Sequence, residues 1–121
     1  MKRILVTGSR GWTDWPTLCS ALNNALGGVD VVTIVHGAAA GADAMAQEWA
    51  DVAEMPFEAH RAEDFPSPLV RNRHMVNLGA DVCLAFAQKW ASGTGNCARL
   101  ARRAGIPVID YGVDTSMEAR P

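Results

Sequence analysis

Short apolar runs ending near a glycine alternate with stretches of helical spacing along almost the whole chain, and this alternation constrains the fold more than any other feature. Ile4 to Val6 form a run rich in β-branched residues that ends in Gly8. A loop follows, and Asp14, Trp15 and Pro16 read as an N-cap with proline in the first helical turn. That helix is expected to run to about Leu26 and stop at Gly27 and Gly28. "VDVVTIVHG" is a second strand. After Gly41, the apolar positions Ala42, Met45, Ala46, Trp49 and Ala53 keep helical spacing, and Pro56 closes the segment before a short strand from Phe57 to His60. Ser67 and Pro68 open a third helix through Leu78, and "DVCLAF" is a fourth strand. Gly95 to Ala104 make a fourth helix capped by Gly105, before a fifth strand in "PVIDY". Strands that are near-continuous Val, Ile and Leu runs, separated by helices, belong to a parallel sheet covered on both faces and joined by right-handed crossovers. The expected fold class is therefore α/β, a single Rossmann-like three-layer domain with a five-stranded parallel sheet.

Composition bounds what such a layer can serve. With 121 residues, 49% of them hydrophobic, the chain can bury one sizeable core and has no room for a second ordinary domain. The domain is expected over residues 1–113, with "DTSMEARP", residues 114–121, as a C-terminal tail. A formal net charge of −2 supplies no global positive field, so nucleic acid is an unlikely partner on charge grounds and a membrane surface equally so. Cys19, Cys83 and Cys97 are odd in number and show no CxxC spacing, which excludes a disulfide framework and fits a cytoplasmic protein. The N-terminal "MKRILVTG" has too short an apolar run for a signal peptide.

In an open parallel sheet, ligands bind outside the carboxyl ends of the strands. Three unusual loops of this chain fall there: "TGSRGWTD", "HGAAAGAD" and "AFAQKWASGTG". Each combines small residues with a helix start, so backbone N–H groups and the positive helix end are placed to accept a phosphate or carboxylate. The competing explanation is that βα turns need glycine for geometry alone. None of the loops has the GK[ST] ending of a Walker A motif or the dinucleotide GxGxxG pattern, which leaves ATP hydrolysis and hydride transfer without support.

Polar candidates cluster in "PLVRNRHMVNLGAD". Arg71 and Arg73 stand about 200° apart on a helix and cannot share one pocket. Arg71 lies on the face of His74 and Met75, beside Asn72, so Arg71 suits an anionic group and Asn72 a loop or ligand hydroxyl. Arg10 either contacts a phosphate or covers the sheet edge. Asp43 caps the second helix or touches a ligand, and His36 reads as a hydrogen-bonded structural residue. Arg99, Arg102 and Arg103 form a solvated face opposite Cys97, Ala101 and Ala104. Trp15 is expected to pack as a staple, while Trp12 and Trp90 are placed either to stack on a base or to pack at the core edge. His60 and His74 lack partners at metal-ligand spacing, and no metal is expected.

The ordered set "ILVTGSRGWTD", "VHGAAAGAD", "RNRHM", "DVCLAF" and "SGTG…AGIPV" resembles the small YspA/YpsA-related branch of the SLOG superfamily over nearly the whole chain. That superfamily also includes the LONELY GUY phosphoribohydrolases and the Rossmann domain of the DNA-processing protein A family. The resemblance implies strand order 3-2-1-4-5, occurrence in bacteria and their phages, and a nucleotide or nucleotide-derived phosphate as ligand, with no further cofactor required. Carried onto this chain, it marks Gly8, Ser9 and Arg10 in the first loop, Gly37, Gly41 and Asp43 in the second, Arg71 and Asn72 on the third helix, and Gly93 and Thr94 after the fourth strand. Ala38 and Ser92 belong to the same loops and complete the expected ligand contacts. LONELY GUY enzymes carry a PGGxGTxxE loop whose glutamate assists N-glycosidic cleavage, whereas "ASGTGNC" lacks PGG and puts Cys97 where that glutamate would fall. A binding protein, a sensor or sequestrant that self-associates, is the expectation. A nucleoside-phosphate hydrolase is the first alternative and a single-stranded DNA-binding module the second.

Overall fold

The computed structural model describes residues 2–87 and 93–111, with backbone alone for residues 93 and 94. Its elements are β1 (Lys2–Gly8), α1 (Trp15–Leu26), β2 (Val32–His36), α2 (Ala42–Val52), β3 (Phe57–Ala59), a 3-10 turn (Ala62–Asp64), α3 (Pro68–Leu78), β4 (Val82–Phe86), α4 (Gly93–Arg103) and β5 (Val108–Asp110). All strands pair in parallel in the order β3-β2-β1-β4-β5. This is the five-stranded Rossmann-like layer that the alternation and the family resemblance imply. The edge strands β3 and β5 are each three residues long, shorter than the runs Phe57 to His60 and "PVIDY". The fourth helix begins at Gly93, two residues earlier than expected. The expected tail, residues 114–121, lies outside the described residues.

Alternation along the central strands divides the core in two. Ile4, Val6, Ile34, Leu84 and Phe86 meet Leu18 and Leu22 of α1 and Ala46 and Trp49 of α2. Leu5, Val35 and Cys83 project the other way, onto Met75 and Val76 of α3 and Cys97 and Ala101 of α4. Each fully buried leucine contributes about 1.5–3 kcal/mol by leaving water, so Leu18 and Leu22, with no exposed surface, do most to fix α1 on the sheet. Asp14 caps α1 by accepting from the Thr17 N–H, and Ser67 caps α3 by accepting from the Val70 N–H. Both helices thus start where their caps and prolines place them. Among the described residues, no helix is long and apolar enough to cross a membrane.

The parallel βα connections bring the β1–α1 loop, the β2–α2 loop and the start of α3 to the carboxyl edge of β1 and β2. Gly8 allows the closest approach there, since a Cβ on it would overlap the Cβ of Ala42 at the start of α2. Trp12 does not project from this edge to stack on a base. It is 6% exposed, meets Phe86 edge-on at 5.5 Å and donates its indole N–H to the Asp14 carbonyl. Burying that large ring is worth more than leaving it in a loop, because its one polar atom finds a local partner. Trp15 packs against the same core, as a staple residue should. Trp90 lies outside the described residues.

Candidate functional site

A cavity of about 420 Å³ opens at the carboxyl edge of β1. Its first wall is the strand end and loop from Thr7 to Gly11, and its second is Pro68, Leu69, Arg71, Asn72 and Met75 of α3. Ala39 and Asp43 reach it from the β2–α2 segment. The cavity therefore gathers Gly8, Ser9, Arg10, Asp43, Arg71 and Asn72 from the expected ligand contacts. Gly37, Ala38 and Gly41 are not on its wall. Ser92 and the side chains of residues 93 and 94 lie outside the described residues.

Asp43 holds the β2–α2 loop together. One carboxylate oxygen, Oδ2, accepts from the backbone N–H groups of Gly37 at 3.0 Å and Ala39 at 3.3 Å. The other, Oδ1, is buried without a hydrogen-bond partner, in a residue only 5% exposed. Burial outweighs the two N–H groups and the nearby Arg71 charge, and it pushes the carboxyl up to about 6. Backbone N–H donors alone would hold a carboxyl low, but desolvation of an unpartnered oxygen is the larger effect here.

The loop's other donor is used as well, since the Ala38 N–H bonds to His36 Nδ1 at 2.9 Å. This requires Ala38 to adopt φ +58°, a left-handed conformation that costs an alanine about 1–2 kcal/mol. The N–H groups of Gly37, Ala38 and Ala39 are thus committed to protein acceptors, so these three form no anion cradle. His36 is the hydrogen-bonded structural residue expected, 1% exposed and stacked on Phe57 at 5.8 Å. Burial lowers its pKa, which keeps the ring neutral near pH 7. Because Nδ1 accepts, Nε2 carries the hydrogen. Gln47 is near enough to favour the protonated ring, yet Nε2 reaches no partner in hydrogen-bond geometry.

The glycines of "HGAAAGAD" answer to protein groups. A Cβ on Gly37 would run into the Arg71 guanidinium, and one on Gly41, at φ +74°, into the Ser9 and Arg10 carbonyls. Ala42 is fully buried and Met45 packs on the core, as their helical spacing requires. Arg71 is anchored by Nη1 to the Gly37 carbonyl at 2.6 Å and the His60 carbonyl at 3.3 Å, and by Nε to Asn72 Oδ1 at 2.8 Å. Asn72 in turn donates Nδ2 to Asn96 Oδ1 at 3.1 Å, tying α3 to α4. Arg73 is exposed on the opposite face, while Arg10 is exposed at the cavity itself. The roles of Asn96 and Ala38 had no sequence signal, because both depend on contacts made only after folding.

Cys97 is fully buried. Burial pushes its thiol up to about 11, despite a hydrogen bond with the Thr7 side chain, so it provides no nucleophile. Asp14 is committed to Thr17 through both its backbone N–H and its hydroxyl. Asp43 is consequently the carboxylate on the cavity wall. Among the described residues, no three His, Cys, Asp or Glu side chains could hold a metal ion. On α4, Arg99, Arg102 and Arg103 are exposed and Cys97 and Ala101 buried, but Ala104 is exposed as well.

Three comparisons place this geometry among known proteins. The model of the YspA, cpYpsA-related SLOG family matches residues 2–64, which include the first two loops and Asp43. The Gene 61 protein of Mycobacterium phage D29 is 41% identical over 125 residues, covering 93% of this chain and 98% of that one. Among solved structures, the X-ray structure of TM1055 matches with a TM-score of 0.68 at 16% identity, over 89% of this chain and 72% of that one. DNA processing protein A from Helicobacter pylori, described for its single-stranded DNA binding mode, matches with a TM-score of 0.65 at 24% identity, over 90% of this chain and 64% of that one.

Proposed function

The chain belongs to the YspA, cpYpsA-related SLOG family, and on that premise we propose that it binds a nucleotide or nucleotide-derived phosphate in the cavity between the β1–α1 loop and α3. One observation carries this reading. The cavity sets the guanidinium-bearing residues Arg10 and Arg71 beside a buried carboxylate oxygen, Asp43 Oδ1, that has no donor. A ligand that satisfies both needs an anionic group and a hydroxyl, which a nucleotide supplies as phosphate and ribose. Arg10 and Arg71 take the phosphate, with Ser9 close by, and Asp43 takes a ribose hydroxyl. The reading is of a cytoplasmic binding protein that needs no further cofactor.

Dissociation constants for a panel of nucleoside monophosphates, ADP-ribose forms and cyclic nucleotides test it. Arg10→Ala is the informative variant, since Arg10 is exposed while Arg71 also supports the fold. Binding of at least one panel member, weakened about tenfold or more by Arg10→Ala, is the expected result. A panel without a binder removes the assignment.

A second reading, N-glycosidic hydrolysis, is favoured by Asp43 alone. A carboxyl near 6 inside a cavity is suited to general acid and base work. Following free base from purine and pyrimidine monophosphates and from NAD separates the two: release that disappears in Asp43→Asn, with the fold intact, establishes the enzyme. Single-stranded DNA remains the third outcome. The fold shared with DNA processing protein A runs in its favour and against the expectation that nucleic acid is an unlikely partner, while the net charge of −2 weighs against it. A salt-dependent oligonucleotide shift would establish it.

A further inference from the structure

Asp43 and Arg71 reach the cavity wall from opposite faces of the sheet, Asp43 from the first turn of α2 and Arg71 from α3. Their opposite charges do not pair. Arg71 gives Nη1 to the Gly37 and His60 carbonyls and Nε to Asn72, while Asp43 accepts only backbone N–H groups, through Oδ2. Oδ1 is buried without a donor, and Arg71 acts on it only through space. A buried carboxylate with one bare oxygen and no counter-ion in contact is costly in its charged form, and a further negative charge nearby makes it more so. The cavity it lines is also where the Arg10 and Arg71 guanidinium groups draw an anion.

We propose that the cavity takes up an anion together with one proton, which settles on Asp43, so that anion binding tightens as pH falls from 8 to 5. The coupling rests on the reading of this cavity as an anion site. Protonation removes the negative charge that opposes the incoming anion and leaves both guanidinium groups to it. The contact proposed for a ribose hydroxyl survives, because a hydroxyl accepts from a carboxylic acid as well as it donates to a carboxylate. The other groups around Asp43 do not supply this proton site. Arginine is charged throughout the range. Cys97 on α4 stays a thiol, since burial pushes it up to about 11. His36 at the end of β2 is driven towards its neutral form by burial, and its Nδ1 is committed to the Ala38 N–H. Further along α2, Glu48 and Asp51 are exposed and screened by water. His60 touches Arg71 through its carbonyl and meets the His74 ring at 5.3 Å, so the effect of these two imidazoles is separated by substitution of Asp43.

Inorganic sulfate is the probe, because its own charge does not change between pH 5 and 8. The Asp43 carboxyl carbon is followed by NMR across this range in the full chain, with and without saturating sulfate, at constant ionic strength in chloride. Its titration midpoint is expected to rise by about one pH unit when sulfate is bound. By linkage, the sulfate dissociation constant should then fall about tenfold from pH 8 to pH 5. Asp43→Asn should bind sulfate with an affinity that varies by no more than about twofold over the same range. The midpoint in the unsubstituted chain decides the matter where that variant does not fold. A midpoint unmoved by bound sulfate, or a tenfold pH dependence that persists in Asp43→Asn, overturns the coupling and leaves the anion site standing. Absence of sulfate binding at every pH overturns the coupling as well, and the nucleotide panel then decides the site by itself.

Discussion

The Arg71 guanidinium occupies the space over Gly37 where any other residue would carry a side chain, and its Nη1 donates to the Gly37 carbonyl at 2.6 Å. The two glycines of this loop therefore differ in what they protect. Gly37→Ala meets the end of a flexible side chain, so it should cost only about 1 kcal/mol while displacing the guanidinium from the cavity wall. Gly41→Ala meets the Ser9 and Arg10 carbonyls at φ +74°, and overpacking plus backbone strain should cost about 2–4 kcal/mol. Urea unfolding midpoints of the two variants check the order, and a Gly37 variant less stable than the Gly41 variant contradicts it.

Asp43 sets a pH dependence of stability whose sign follows from its environment. Its folded carboxyl titrates near 6 against an ordinary 3.8, so the folded state binds the extra proton between these values. Stability from this group is greatest below about pH 4, falls as pH rises to about 6, and is flat above. The full change is about 3 kcal/mol at 1.36 kcal/mol per unit. Asp43→Asn keeps an acceptor for Gly37 and Ala39 and removes this contribution, leaving the opposite one from His36, whose lowered pKa adds stability as pH rises. Glu58 acts oppositely and only at the acid end, because hydrogen bonding from Arg3 holds its carboxyl down to about 2. Urea midpoints measured from pH 4 to 8 decide the matter, since parallel curves for wild type and Asp43→Asn would exclude this origin.

The parallel sheet and the caps on α1 and α3 were legible because each rests on local pattern, whereas the strand order came from the family resemblance. Asp14 before Trp15 and Pro16, and Ser67 before Pro68, announce helix starts without help from distant residues. The β2–α2 loop was not legible in the same way. Its glycines mark close backbone approach correctly, but the sequence cannot say that the approaching group is Arg71 or the Ser9 carbonyl. Nor could it show that Ala38 takes the left-handed conformation and spends its N–H on His36. The raised Asp43 carboxyl was hidden for the same reason, since burial of Oδ1 is a property of the packed loop.

Thiol chemistry should be confined to one position. Cys83 and Cys97 are fully buried, and burial raises both thiols. Cys19 is partly accessible, with its thiol raised by burial and by Glu48. Ellman's reagent at pH 8 should label Cys19 slowly and the other two only on unfolding. Cys97→Ala should accordingly leave ligand binding intact. Fast labelling of Cys97 in the folded protein would contradict its placement.

Self-association is expected through the apolar side chains left uncovered. Val31 stands just before β2 and Phe57 opens the short edge strand β3, with 42% and 39% of their surfaces exposed, and Val52 ends α2 at 77%. Burial of these side chains against a second copy favours a symmetric dimer. Light scattering across micromolar concentrations should give the mass of two chains, and the mass of one chain throughout would reject the dimer.

Arg10 and Arg71 line the cavity and are the proposed phosphate-binding groups. The most direct measurement is calorimetric titration of 5′-AMP against adenosine, with wild type and Arg10→Ala side by side. Wild type should bind 5′-AMP at least tenfold more tightly than adenosine, about 1.4 kcal/mol or more, and Arg10→Ala should narrow that ratio towards one. Equal affinities for the two ligands in wild type, or a ratio untouched by Arg10→Ala, would contradict the proposed site.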